Sequence, residues 1–218
     1  MKELKYTLIG DGSSDSALLK IIKWLLDDLY PKLPNEGQFA NFGFSPKPLT
    51  ADDLSGKVRF VKQYFPFDIL FIHRDAEKID VKMIIERTKE IKAKLSDADI
   101  EKVVCIVPIK MMETWLFFDI EAIKKAAGNR NYKQPIVLPK LKDLEKEQQP
   151  KLKLQTILKE VSGKKGRQLD KFNVSQAIHL VAENIEDFSP LRMLHSFQIF
   201  EKQLKETLFA NFKIKYKK

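Results

Sequence analysis

Two acids stand one residue apart in Asp75-Ala-Glu77, directly behind the apolar run of Asp68-Ile-Leu-Phe-Ile72, with His73 and Arg74 between. In an extended chain, residues i and i+2 point to one face, so both carboxylates are expected side by side. Acids held that close repel unless a proton or a cation lies between them. Two more acids follow apolar runs in the same way: Asp11 after Tyr6-Thr-Leu-Ile9, within Gly10-Asp-Gly-Ser-Ser-Asp15, and Glu113 shortly after Val103-Val-Cys-Ile-Val107. Asp11, Asp75, Glu77 and Glu113 are therefore candidate ligands for Mg2+ or Mn2+, hard ions that take oxygen donors, keep several waters and bind through one or two carboxylates plus substrate phosphate. Such an ion neutralises a phosphodiester and activates a water. Lys110 and Lys151 are the candidate phosphate-binding cations, chosen by position. Any one acid taken alone is more often solvated or capping; the case rests on a shared edge.

For these acids to meet, the runs before them must be strands of one sheet. Each run is short, β-branched and apolar throughout, the pattern of a strand covered on both faces. Helical periodicity separates them. Leu18, Leu19, Ile22, Leu25, Leu26 and Leu29 form one stripe, and Val81, Ile84, Ile85, Ile91 and Leu95 another. Strands joined by such crossovers are parallel, and ligands gather beyond their carboxyl ends. Gly10-x-Gly12 hints at dinucleotide binding, but Asp15 replaces the third glycine and Asp11 repels a pyrophosphate. Residues 30–65 show no period and read as a long connection with a short helix near 51–64. Its aromatics Phe39, Phe42 and Phe44 are assigned no role. A helix is expected from Trp115 to Ala127, closed by Gly128. Residues 129–172 are polar and lysine-rich with a helix near 152–161. A short helix at 175–184 follows, then a last one opened by Ser189-Pro190 and carrying Leu191, Leu194, Phe197, Phe200, Leu204 and Leu208 on its apolar face. The expectation is an α/β core over residues 1–128, a mostly parallel sheet sandwiched by helices, with a basic, mainly helical region over 129–218 packed on it.

Composition limits the function classes. The chain has 218 residues, 44% of them hydrophobic, and no apolar run of membrane-spanning length. Its start lacks a signal-peptide pattern, which points to a cytoplasmic protein with no membrane partner. The lone Cys105 excludes an internal disulfide. Residues 1–110 carry 18 basic against 17 acidic side chains, and residues 111–218 carry 21 against 13. A basic half beside an acid cluster suits a partner such as DNA or RNA, although a solvated lysine-rich surface has the same composition.

The order of these motifs resembles the Toprim fold of topoisomerases, DnaG-type primases and OLD-family nucleases: strand, Asp11-Gly12-Ser-Ser-Asp15, helix, then a strand ending in Asp75-Ala76-Glu77. More narrowly, Glu113-Thr-Trp115-Leu-Phe-Phe-Asp119, Gln149-Pro-Lys151 and Ser196-Phe197-x-x-Phe200 are similar to a small bacterial Toprim-like family, some of whose relatives lie in phage-defence loci. The resemblance implies a Mg2+- or Mn2+-dependent enzyme acting on nucleic-acid phosphodiesters, a nuclease, with a defence-system protein as a further partner. It maps the family's first acid, usually glutamate and a general acid/base, onto Asp11, which then serves as acid/base or as a further ligand, and its metal-binding pair onto Asp75 and Glu77, the latter usually aspartate. The alternatives are a catalytically degenerate nucleic-acid or protein binding module, and a phosphotransferase working on free nucleotides.

Overall fold

The computed structural model describes residues 3–50 and 52–216. Four strands, β1 (Leu4–Ile9), β2 (Asn35–Phe39), β3 (Ile69–His73) and β4 (Val103–Ile106), form an all-parallel sheet in the order β2-β1-β3-β4. Tyr6 is in register with Gly37 on one side and Ile69 on the other, and Ile72 with Cys105. Side chains alternate between two cores. Tyr6, Leu8, Ile69, Phe71, Val104 and Ile106 enter one, whereas Leu70, Ile72, Val103 and Cys105 enter the other.

Helices cover both faces, as a parallel sheet requires. α1 (Leu18–Leu29) buries Leu18, Ile21, Ile22, Leu25, Leu26 and Leu29 in the first core. α2 (Leu54–Tyr64) and α3 (Val81–Ala93) pack against the second, each started by an aspartate, Asp53 accepting from Gly56 N and Asp80 from Lys82 N. A single turn, α4 (Asp97–Ile100), leads into β4. Because β1 leads outward to β2 while β3 leads the other way to β4, the strand order reverses between β1 and β3. In an open parallel sheet, that switch point is where a crevice forms at the carboxyl ends.

The helix expected over Trp115–Ala127 is two pieces: a 3-10 turn at Met112–Trp115, then α5 (Ile120–Ala126), because Asp119 accepts from Ala122 N and starts the helix afresh. α6 (Pro150–Ser162) opens on proline and ends at Gly163, whose φ of 66° a side chain would strain. α7 (Arg167–Asp170) and α8 (Val174–Asn184) follow. The last expected helix also divides, into a 3-10 turn at Ser189–Met193 and α9 (His195–Phe212). Ser189 does not cap α9. The Glu145 carboxylate does, accepting from His195 N at 3.0 Å and Ser196 N at 2.8 Å. Leu154, Val161, Val181, Phe197 and Leu204 join the core of β1 and α1, so the basic region is built onto the sheet. α9 also guards the β4 edge, where Gln203 Oε1 accepts from Cys105 N at 2.6 Å.

β2 lies within the stretch expected to be a loop. Asn35-Glu-Gly-Gln-Phe39 is an edge strand with little to bury, so it lacks the apolar alternation that marks a strand. Gly37 is needed there, since a Cβ at that position would overlap the Tyr6 ring. The expected helix near 51–64 is present as α2; residue 51 lies outside the described residues, as do Lys217 and Lys218 of the basic tail. No described helix is long and apolar enough to cross a membrane.

Candidate functional site

The carboxyl ends of β1 and β3 meet at the switch point, and the residues just beyond them are charged. Asp15 organises the first of these ends. Its Oδ2 accepts from Asp11 N at 2.7 Å and Gly12 N at 3.2 Å, closing the tight loop after β1. Gly10 makes that closure possible, because a Cβ there would come within 2.6 Å of the same oxygen. Oδ2 accepts a third hydrogen bond, from His73 Nδ1 at 2.9 Å, which ties the loop to the end of β3.

His73 is buried between two carboxylates. Its Nε2 lies 3.1 Å from Asp75 Oδ1, an ion pair whose N–H is poorly aligned for a hydrogen bond. Burial pushes the imidazole pKa down, but Asp15 and Asp75 outweigh it and raise it to about 10. The ring is therefore held as imidazolium, donating from Nδ1. Burial also works against the Asp15 carboxylate, and the His73 hydrogen bond, with the two backbone donors, brings its pKa below the usual value.

Asp75 Oδ1 further accepts from Met112 N at 3.0 Å, capping the 3-10 turn that carries Glu113. Glu113 is buried. Desolvation raises its pKa, Lys151 Nζ at 3.7 Å from Oε1 opposes the rise, and the charge of Asp75 adds to it. Asp11 stands on the other flank, partly exposed, with Arg74 Nη1 at 3.3 Å from its Oδ2 and Lys57 Nζ at 3.7 Å from its Oδ1. Its pKa is raised by burial against the pull of both cations. Lys57 is itself buried, donates to Gly10 O at 3.3 Å and lies 5.5 Å from the centre of the Phe42 ring. Asp11, Lys57, Phe39 and Phe42 line an open cleft of ≈ 410 Å³.

The structure brings Asp11, Asp75, Glu113 and Lys151 to one rim, but not Glu77. The chain after β3 continues to pair with the segment after β4, Ala76 N donating to Pro108 O and Glu77 N to Lys110 O. At Glu77, φ is 62°, so the extended conformation ends there. Asp75 and Glu77 consequently take different partners: Glu77 is exposed and accepts from Arg87 Nη2 of α3 at 2.8 Å. Lys110, opposite it, also adopts a left-handed φ of 66° and is half-buried.

Against Mg2+ or Mn2+, the rim does not fit as a ready-made cage of three or four carboxylates. Among the described residues no group of three or more acids, histidines or cysteines is arranged to hold a metal ion. Instead the protein's own cations stand beside the acids: Arg74 and Lys57 at Asp11, His73 between Asp15 and Asp75, Lys151 at Glu113. Magnesium typically takes only one or two carboxylates and leaves its remaining positions to water and phosphate, so Asp75 and Glu113, joined through the Met112 turn, are the residues that would hold it. Burial and the like charge of Asp75 both favour the protonated form of Glu113, a repulsion that a divalent cation would relieve.

Sequence reasoning missed Asp15 and Lys57 as members of the cluster and left His73 and Arg74 merely adjacent to it. The signal for Asp15 was available in its place four residues after Asp11. Lys57 was not discernible, lying in a segment without clear pattern. Two of the three later motifs meet at Trp115, whose Nε1 donates to Ser196 Oγ at 3.0 Å and whose ring centre lies 5.2 Å from that of Phe197 and 6.0 Å from that of Phe200, while Lys151 of the third pairs with Glu113. No protein-family model, curated protein or solved structure matches the chain.

Proposed function

We propose that the chain is a Mg2+- or Mn2+-dependent enzyme acting on nucleic-acid phosphodiesters, a nuclease of Toprim-like type. The observation that carries this reading is the coupled acid cluster at the β1/β3 switch point, Asp11 on the loop and Asp75 with Glu113 across it, joined through Asp15 and His73. Asp75 and Glu113 are the residues to hold the ion, which supplies charge neutralisation at the phosphate and an activated water. Asp11 faces the cleft. Its raised pKa suits an acid/base role, while Arg74 and Lys57 provide positive charge for the phosphate backbone. Lys151, half-exposed beside Glu113, is placed to meet a phosphate once the carboxylate is otherwise neutralised.

A second reading is favoured by one specific observation: Asp11 already has two cationic partners, and Glu77 has left the cluster. On that reading the rim is structural and the chain is a nucleic-acid or defence-complex binding module. Cleavage of labelled single- and double-stranded DNA and RNA with Mg2+, with Mn2+ and with a chelator separates the two. An enzyme cleaves with metal, stops with chelator and loses activity in Asp75→Asn. A binder retains the polymers and cuts none. Turnover of free nucleotides without polymer cleavage would instead identify a phosphotransferase.

A further inference from the structure

We infer a second nucleic-acid surface, specific for single strands, at the opposite end of the sheet, formed by the last turns of α9, residues 213–216 and the turn joining α1 to β2. For its partner class it rests on the nucleic-acid reading above; its location and residues are independent of the rim. α9 starts beside Trp115, and its far end reaches the segment before β4, where Asn211 Nδ2 donates to Glu101 O. Eighteen residues of helix, about 27 Å, run from the Trp115 end of α9 to its last turn; the larger cleft lies at that far end, and the smaller follows the helix from Arg192 to Phe209.

Two clefts, of ≈ 950 Å³ and ≈ 640 Å³, share Tyr216 as a common wall. Three aromatic rings remain in water around them: Phe209 at 51% exposure, Phe212 at 36% and Tyr216 at 45%. Exposed rings in one neighbourhood are unfavourable without a function, and they are what unpaired bases stack on. The Tyr216 ring is held in place by Lys205, whose Nζ lies 4.5 Å from its centre.

Charge selects the partner. The larger cleft is lined by Lys32, Lys213 and Lys215 and by no acid. In the smaller one Glu201 is already neutralised by Arg192 at 2.9 Å and Lys205 at 2.6 Å, and Glu206 lies 3.9 Å from Lys202. Lysines interleaved with exposed aromatics match a sugar-phosphate backbone carrying unstacked bases, rather than a duplex whose bases are occupied.

The test is fluorescence anisotropy of a labelled dT oligomer of about 15 nucleotides with the full chain, set against a duplex of equal length. The single strand is expected to bind at least about tenfold more tightly than the duplex. Tyr216→Ala should weaken single-strand binding by about tenfold. Lys213→Ala with Lys215→Ala should weaken it and lower the salt slope by about 1.4. These side chains are at the surface, so the variants should fold, which circular dichroism checks. Glu77→Gln, exposed and outside the rim, should bind the oligomer like wild type. Equal binding of duplex and single strand, unchanged binding in the Tyr216 and lysine variants, or loss of binding in Glu77→Gln overturns the inference. If the wild-type chain cuts nucleic acid but these variants bind normally, only this surface is wrong. If it binds as expected but cuts nothing, only the nuclease reading fails.

Discussion

Asp15 Oδ2 and His73 Nδ1, 58 positions apart in the chain, lie 2.9 Å from one another in the protein interior and join the loop after β1 to the end of β3. The contact fixes the spacing of the switch point, because Asp15 holds Asp11 in place and His73 reaches Asp75. Removing Asp15 leaves the buried His73 with Asp75 as its remaining carboxylate and takes the shared acceptor from Asp11 N and Gly12 N. Asp15→Ala is therefore expected to cost about 3–5 kcal/mol in urea unfolding. A loss below about 1 kcal/mol would show that the pair is not formed in solution.

The same pair sets a pH dependence. His73 has its folded pKa raised from 6.5 to about 10, so the stability it contributes is complete below about pH 6.5 and is lost as pH rises toward 10. Asp15 has its folded pKa lowered, so its contribution is present above about pH 4 and is lost as pH falls further. The two describe one interaction and are not additive. Urea midpoints of wild type minus His73→Gln, measured from pH 4 to pH 10, should be largest near pH 5–6 and shrink on the alkaline side. A difference that grows above pH 7 contradicts the imidazolium assignment.

Glu77 and Asp75 should behave differently despite their adjacency. Asp75 joins His73, Met112 and the Glu113 turn, whereas Glu77 is exposed and paired with Arg87. In the metal-dependent cleavage assay, Asp75→Asn is expected to lose at least about 100-fold in rate, and Glu77→Gln to stay within about twofold. A large loss in Glu77→Gln would mean that the segment rearranges when substrate binds.

Ser196 sits between Trp115 Nε1 at 3.0 Å and Glu145 Oε1 at 2.6 Å, all near the start of α9. Ser196→Ala leaves a buried indole N–H without its acceptor and is expected to cost about 1–3 kcal/mol. Thermal unfolding monitored by tryptophan fluorescence reads both the loss and the change around Trp115.

At the β2 edge, Gly37→Ala should destabilise by about 1–3 kcal/mol through overlap with the Tyr6 ring. The paired change with Tyr6→Leu should recover part of that loss in the same urea titration, since the clash is with the ring.

Local patterning in the chain was enough to identify three of the four strands, the helices around 18–29 and 81–95, and the acids that follow β1, β3 and β4. Burial writes itself into sequence as a period of two or 3.6, or as an unbroken apolar run, so elements with a face or two to hide are legible. β2 was not, because an edge strand of Asn, Glu, Gly and Gln hides little. The cluster's wiring was not legible either. Lys57 reaching Asp11, Asp15 reaching His73 and Glu145 capping α9 all join residues far apart in sequence, and nothing local chooses among so many lysines and acids. Glu77 shows the limit most directly: the i, i+2 rule holds only while the backbone stays extended, and a φ of 62° ends that extension and turns one of two neighbouring carboxylates away from the rim. Sequence determined which groups could do chemistry and which strands carried them. The folded chain decided which of those groups share a neighbourhood, because electrostatic partners are selected by proximity in space, which only the packed sheet and its crossovers create.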